Sequence, residues 1–269
     1  VVLLHHGNYL HTPFWNYRRP RRVPLYTTMT QVLTAQDVAE KSAGEIGEII
    51  RAAMTYDEYR WQAENQIHIT EPFRAEGLHK ILYQCPSCLT ESRMESRGSE
   101  LSCAACGKRW EMDTLGRLRA LSGETEFSHI PDWFEWEREQ VRRQLEEGSY
   151  RFEDEAEVYS LPNAWRFRKL GRARLIHDMD QGFVVEGSYR GQPYRIHRPP
   201  LGMYGLHVEY DYCYVRPDDC VDISTDNDSL YCYPVRQNVV TKLSFATEEL
   251  YKMKRAAAAQ RRSASSAGG

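Results

Sequence analysis

The sequence predicts an α+β chain in three parts: the closing piece of an α/β domain, a four-cysteine ribbon, and a C-terminal all-β domain closed by one helix. Three observations carry this. The run VVLL at Val1–Leu4 is wholly apolar, as a strand buried on both faces requires. The strings CPSC and CAACG set four cysteines in two close pairs between residues 85 and 106. From about residue 151 the apolar period falls to two, the repeat of a half-buried strand.

After the opening run, VPLYTTMTQVLT (Val23–Thr34) is a second expected strand, rich in β-branched and aromatic residues. Thr34 and Asp37 form a capping start, and Ile46, Ile49, Ile50 and Ala53 recur at helical spacing, so this face should pack on the two strands. Strand, loop, strand and helix in that order read as the last piece of an α/β domain. Tyr56–Asn65 continues as a helical segment, and Pro131–Glu147 is a further helix with Pro in its first turn and Gly148 as its stop. Its expected stripe is Phe134, Val141 and Leu145, and it reads as a connector.

In the β region, HVEYDYCYV sets Val208, Tyr210, Tyr212 and Tyr214 on one face. Two hairpins are expected, turning at Arg190-Gly191 and at Asp226-Asn227-Asp228. A helix from about Ser244 closes the unit, and RRSASSAGG reads as a disordered tail. The expected divisions are residues 1–80, a ribbon at 81–120, a connector at 121–150, a β domain at 151–260 and a tail at 261–269. By analogy alone, the β domain is a sandwich or small barrel of the PH or GRAM kind.

Composition narrows the function classes. A hydrophobic fraction of 41% supports a packed core, and a net charge of −3 with a pI near 6.3 argues against a general nucleic-acid-binding surface. The sequence has neither a run of 18 apolar residues nor a secretory signal pattern. Seven cysteines, an odd number, fit reduced thiols and a metal site better than a disulfide set, which points to the cytoplasm.

Fourteen residues separate Cys85 and Cys88 from Cys103 and Cys106. Each Cys-x-x-Cys turn aims two sulfurs at one point, and a hairpin between the turns joins the pairs around one Zn2+. Four sulfurs leave no open coordination position, so the expected zinc is structural. A redox dithiol, which needs one pair only, or four unrelated buried cysteines are the alternatives. Around the ribbon, Arg93, Arg97, Lys108, Arg109, Arg117 and Arg119 alternate with Glu91, Glu95, Glu100, Glu111 and Asp113, the pattern of a solvated face.

Other groups weigh less. His5 and His6 end an apolar strand but have no nucleophilic partner in sequence, so they read as structural. The acidic stretch RPDDCVDISTDNDS lacks the Gly and final Glu of a calcium loop and reads as a hairpin turn. The loop NYRRPRR, with Arg18, Arg19, Arg21 and Arg22 after Tyr9, Phe14, Trp15 and Tyr17, reads either as a solvated loop or as a membrane edge, with the aromatics favouring the edge.

The strings HHGNYLHTPFWN, YDEYRWQAENQIHITEPFRAEGLHKILYQCPSC, IPDWFEWEREQVRRQLEEGSYRFEDE and TKLSFATEELYK resemble the C-terminal part of a bacterial phospholipid/glycerol acyltransferase. The resemblance is to 1-acyl-sn-glycerol-3-phosphate acyltransferases that carry a zinc ribbon and a β domain. It implies transfer of a fatty acyl group from a thioester donor to a glycerol-phosphate acceptor, at the inner face of the membrane. It also implies a catalytic His followed five positions later by Asp, the His as general base. The fifth residues after the nine histidines are Leu10, His11, Asn16, Phe73, Gln84, Phe134, Gly182, Gly202 and Tyr212. None is Asp, so no catalytic or cofactor-binding residue is assigned. The expectation is an N-terminally truncated fragment, consistent with the absent initiator Met and inactive alone. The rival is a non-enzymatic zinc-ribbon module that binds a protein or nucleic acid.

Overall fold

The computed structural model describes the backbone of residues 1–267 and the side chains of residues 1–263. Contacts divide the chain into two units: Val1–Glu76 with Ser96–Leu101 and Arg109–Ile130, and Gly77–Glu95 with Ser102–Lys108 and Pro131–Gly269. This grouping differs from the sequence divisions at 80, 120 and 150. The cysteine turns and the expected connector helix join the β region in one body.

In the first unit, β1 (Val2–His6) pairs antiparallel with β2 (Tyr26–Thr30) as a two-stranded sheet. The expectation that the opening strand is buried on both faces fails, since Val1 is 75% and Leu3 52% exposed. The second strand is shorter than the predicted Val23–Thr34, and every residue in it is exposed. A two-stranded ribbon can be buried only by a covering layer, and none covers this face among the described residues. Between the strands, α1 (Asn8–His11) starts over the buried Glu58 carboxylate, which accepts from Tyr9 N–H at 3.0 Å. Burial pushes the Glu58 pKa up.

The single helix expected after Thr34 is two, α2 (Ala35–Glu40) and α3 (Ala43–Met54), each opened by a capping box, Thr34 with Asp37 and Ser42 with Glu45. Helix α3 lies against β1, yet no residue of it is buried, and Ile50 and Met54 are exposed. Next, α4 (Glu58–Glu64) is capped by Asp57, which also accepts from His129 at 2.7 Å. Strands β3 (Met94–Arg97), β4 (Glu100–Cys103), β5 (Arg109–Met112) and β6 (Leu118–Ala120) lie side by side in that order.

The second unit holds a seven-stranded sheet in the order β10-β9-β8-β7-β13-β12-β11, antiparallel throughout. Its strands are β7 (Arg151–Ser160), β8 (Arg168–Asp178), β9 (Gly182–Tyr189), β10 (Gln192–Arg198), β11 (His207–Tyr212), β12 (Asp218–Ser224) and β13 (Ser229–Pro234). Strand β7 shows the two-residue period directly. Phe152, Ala156 and Val158 point into the core, while Glu153 and Glu155 face water. The Arg190-Gly191 turn joins β9 to β10 with positive φ at both residues, as a two-residue hairpin of this kind requires. Tyr214, expected on the face of β11, lies past the end of that strand and is 78% exposed.

Two helices complete the unit. In α5 (Ile130–Glu146) the buried line is Trp133, Glu137, Val141 and Leu145, four residues apart on one face. The predicted stripe missed Trp133 and the carboxylate in its midst. Helix α6 (Val240–Ala267) buries Val240, Leu243, Ala246 and Leu250, and Phe245 meets Phe134 of α5 edge to face at 4.6 Å. It runs through residues 261–267, where the sequence suggested a disordered tail; residues 268 and 269 lie outside the described residues. No helix among the described residues is long and apolar enough to cross a membrane.

Candidate metal centre

Cys85, Cys88, Cys103 and Cys106 converge, with all four sulfurs within 4.8 Å of one another. Cys85 Sγ lies 3.8 Å from Cys106 Sγ, and Cys88 Sγ lies 3.7 Å from Cys103 Sγ. A tetrahedral zinc with sulfur arms of roughly 2.3 Å has edges of about 3.8 Å. The cluster therefore fits a four-sulfur metal ion.

The two turns have the same construction. Cys85 N–H donates to Thr90 O at 3.0 Å, and Cys103 N–H donates to Lys108 O at 2.9 Å. Leu89 N–H closes the first turn on Cys85 O at 2.9 Å, and Gly107 N–H closes the second on Cys103 O at 2.8 Å. Backbone N–H groups of Ser87 and Cys88 point at the Cys85 sulfur, and those of Ala105 and Cys106 at the Cys103 sulfur. Such donors stabilise thiolate over thiol, the state that ligates a metal. Burial pushes the Cys85 and Cys103 pKa values up. The exposed Cys88 is lowered to about 6, chiefly by its hydrogen bond with the Thr90 hydroxyl.

The fourth residue after the first cysteine of each turn adopts a left-handed backbone, Leu89 at φ 61° and Gly107 at φ 77°. Glycine serves this position in the second turn without steric cost. In the first turn a leucine is held there, 59% exposed, while its carbonyl accepts from Gln84 Nε2 at 3.0 Å.

The first turn is anchored on both sides. Gln84 N–H donates to Glu137 Oε1 at 2.7 Å, and Trp133 Nε1–H donates to Gln84 O at 3.0 Å, so α5 holds both ends of the residue before Cys85. Thr241 Oγ1 of α6 donates to Lys80 O at 2.6 Å, and Lys242 Nζ meets Glu91 at 2.6 Å. Lys80 Nζ sits between Asp211 at 2.7 Å and Asp219 at 2.8 Å. The second turn joins the first through Ala104 N–H to Arg93 O at 2.8 Å. Glu137 is fully buried, and desolvation holds its pKa well above the usual carboxylate range.

The other sequence candidates separate from this centre. His6 is buried between Tyr56 Oη and Thr28 Oγ1, each at 2.9 Å, and stacks on Trp61, a packing role. Neither reading of NYRRPRR fits the loop as a whole. Trp15 is 3% exposed, and Arg21 is 2% exposed with its guanidinium donating to Leu10 O and Arg74 O. Arg19 pairs with Glu76 and covers the Phe73 ring. Near the ribbon, Arg109 pairs with Glu100 and Arg119 with Glu111, as the mixed-charge pattern implied. Cys220 and Cys232 are core residues of β12 and β13. Sequence reasoning missed Glu137, Trp133 and Lys80. The i, i+4 spacing of Trp133, Glu137 and Val141 was the available signal for the first two, and nothing local marks Lys80.

The chain matches no protein-family model, no curated protein and no solved structure.

Proposed function

We propose that this chain is the zinc-stapled, non-catalytic part of a lysophosphatidate-type acyltransferase. Its catalytic His and Asp belong to a further domain that covers β1, β2 and α3. The observation that carries the reading is the open apolar surface of the first unit. Val1, Leu3, Leu25, Met29, Ile50 and Met54 are all exposed in this unit, with Leu3 directly opposite Met29 across the β1–β2 pair. The ordered resemblance of four segments to that acyltransferase group supports the chemistry, and since no His here is followed five positions later by Asp, the reading assigns the reacting groups to that further domain. The zinc is structural in this reading, and the chain contacts the membrane face where donor thioester and glycerol-phosphate acceptor meet.

The deciding experiment measures acyl transfer to lysophosphatidate by Val1–Gly269 and by a chain extended through whatever coding sequence precedes Val1. The extended chain, carrying an in-frame His-x4-Asp, transfers the acyl group, and Val1–Gly269 alone does not. Full-rate transfer by Val1–Gly269, or none by the extended chain, overturns the reading. A start codon at Val1 together with no transfer leaves the zinc-ribbon binding module.

A further inference from the structure

The loop between β7 and β8 holds an exposed indole on a hydrogen-bonded backbone. Trp165 at its tip is 88% exposed, the most exposed large apolar side chain of the described residues. Asn163 and Ala164 before it both adopt positive φ, 50° and 54°, a region that non-glycine residues visit rarely. The loop is nevertheless fixed. Leu161 N–H donates to Ser229 O and Asn163 N–H to Asn227 O, each at 2.9 Å. Phe167 at its end packs 5.2 Å from the Tyr231 ring, which stacks on Tyr212 at 5.0 Å. Tyr214, also exposed, extends the same aromatic cluster 5.3 Å from Tyr212. Strained backbone that holds an indole in water marks a functional candidate.

The charge around that indole is one-sided. Arg166, Arg168, Lys169 and Arg190 are all exposed, and the concavity between the loop and the β9–β10 turn has no carboxylate in its wall. Lys169 is matched by Glu157, and Arg190 lies over Tyr189. Arg166 and Arg168 have no ion-pair partner among the described residues. Asp226 and Asp228 belong to the turn behind the loop, where Asp228 accepts from Ser160 Oγ.

We propose that the Trp165 loop is a membrane-contact surface for bilayers containing anionic phospholipid. Trp165 enters the headgroup zone, and Arg166 and Arg168 meet the lipid phosphates. Interfacial indoles and basic side chains suit that zone together. A single-stranded nucleic acid is the other polyanion with affinity for aromatics and arginine, but it needs successive stacking platforms along a basic track. Here one indole stands at the tip, and on the neighbouring sheet face the arginines Arg172, Arg174 and Arg195 are paired with Glu155, Glu153 and Glu186, so no basic track continues from the loop. This surface refines the membrane-contact part of the function proposed above. Vesicle binding measures it without turnover, so its failure is distinct from a failure of acyl transfer.

The test uses the zinc-loaded chain with vesicles of phosphatidylcholine alone and with about 30% phosphatidylglycerol. Sedimentation with the anionic vesicles, a blue shift of tryptophan emission and loss of binding in high salt are expected. Trp165→Ala should weaken binding by about tenfold or more, and Arg166→Ala and Arg168→Ala by about fivefold each. Free glycerol phosphate should not displace the vesicles, and Arg18→Ala/Arg22→Ala should bind like the parent. These solvent-exposed replacements leave the fold intact, as circular dichroism will check. The proposal is overturned by equal binding to neutral vesicles, by no binding, by full binding of a Trp165→Ala/Arg166→Ala/Arg168→Ala variant, or by an oligothymidylate that binds through the same three residues while vesicles do not.

Discussion

Glu137 Oε1 accepts a hydrogen bond of 2.7 Å from the backbone N–H of Gln84, the residue immediately before the first metal-site cysteine. A buried carboxylate on α5 thus sets the position of the turn that presents Cys85. Trp133, one helical turn earlier, holds the carbonyl of the same residue. The cysteine cluster is thus tied by hydrogen bonds to α5 within the second unit.

Glu137 gives a pH signature. Desolvation raises its folded-state pKa well above the ordinary 4.5, so the folded chain binds the proton more tightly than the unfolded chain. Stability should be greatest below the unfolded value and fall as pH rises towards the folded one, by at most about 1.4 kcal/mol per pH unit. Glu137→Gln keeps the carbonyl acceptor without the titration. Urea midpoints across the neutral range should flatten in that variant, while Glu137→Leu, which strands the Gln84 N–H, should be destabilised by about 1–3 kcal/mol.

Metal removal should reach far beyond the ribbon. Elemental analysis is expected to give one zinc per chain, and Cys85→Ser or a strong chelator should abolish it. Structural zinc contributes roughly 10–16 kcal/mol of apparent binding energy in small zinc modules, and a zinc held by these four cysteines would add to folding stability. Hydrogen exchange should therefore accelerate in β7, β12, β13 and α6 as well as in the cysteine turns. A zinc-free chain with unchanged exchange in the sheet would contradict the coupling.

The two cysteine turns differ at one informative position. Leu89→Gly should stabilise the protein or leave it neutral, by up to about 1 kcal/mol, because a left-handed L-residue is relieved and an exposed side chain is lost. Gly107→Ala should cost about 1 kcal/mol for the reverse reason; a Cβ there meets no atom within 4 Å, so the cost is backbone conformation alone. Thermal melts of the zinc-loaded variants measure both.

Lys80 is the third anchor of the first turn. Its ammonium lies between Asp211 and the nearly buried Asp219. Lys80→Met leaves the buried Asp219 carboxylate without its ammonium, beside a partly exposed Asp211, and should cost about 1–3 kcal/mol. Adding Asp219→Asn should recover part of that loss in a double-mutant cycle of denaturation midpoints.

Much of the architecture was legible in local chemistry. Cys-x-x-Cys spacing, the Arg190-Gly191 turn, the two-residue period and the Thr34 cap each depend on residues within a few positions of one another, so the sequence by itself determined them. Burial and partnership were decided only by tertiary structure. The same apolar letters that suggested an interior strand at Val1–Leu4 stand half in water, because burial needs a covering layer rather than a pattern. The same Arg-rich loop that suggested a lipid edge buries Arg21 against the carbonyls of Leu10 and Arg74, 11 and 53 positions away. Glu137 and Lys80 gained their roles from residues about 50 and more than 130 positions away. Local sequence encodes which turns and strands form; which polar groups they bury, and against what, depends on chain segments that only folding brings together.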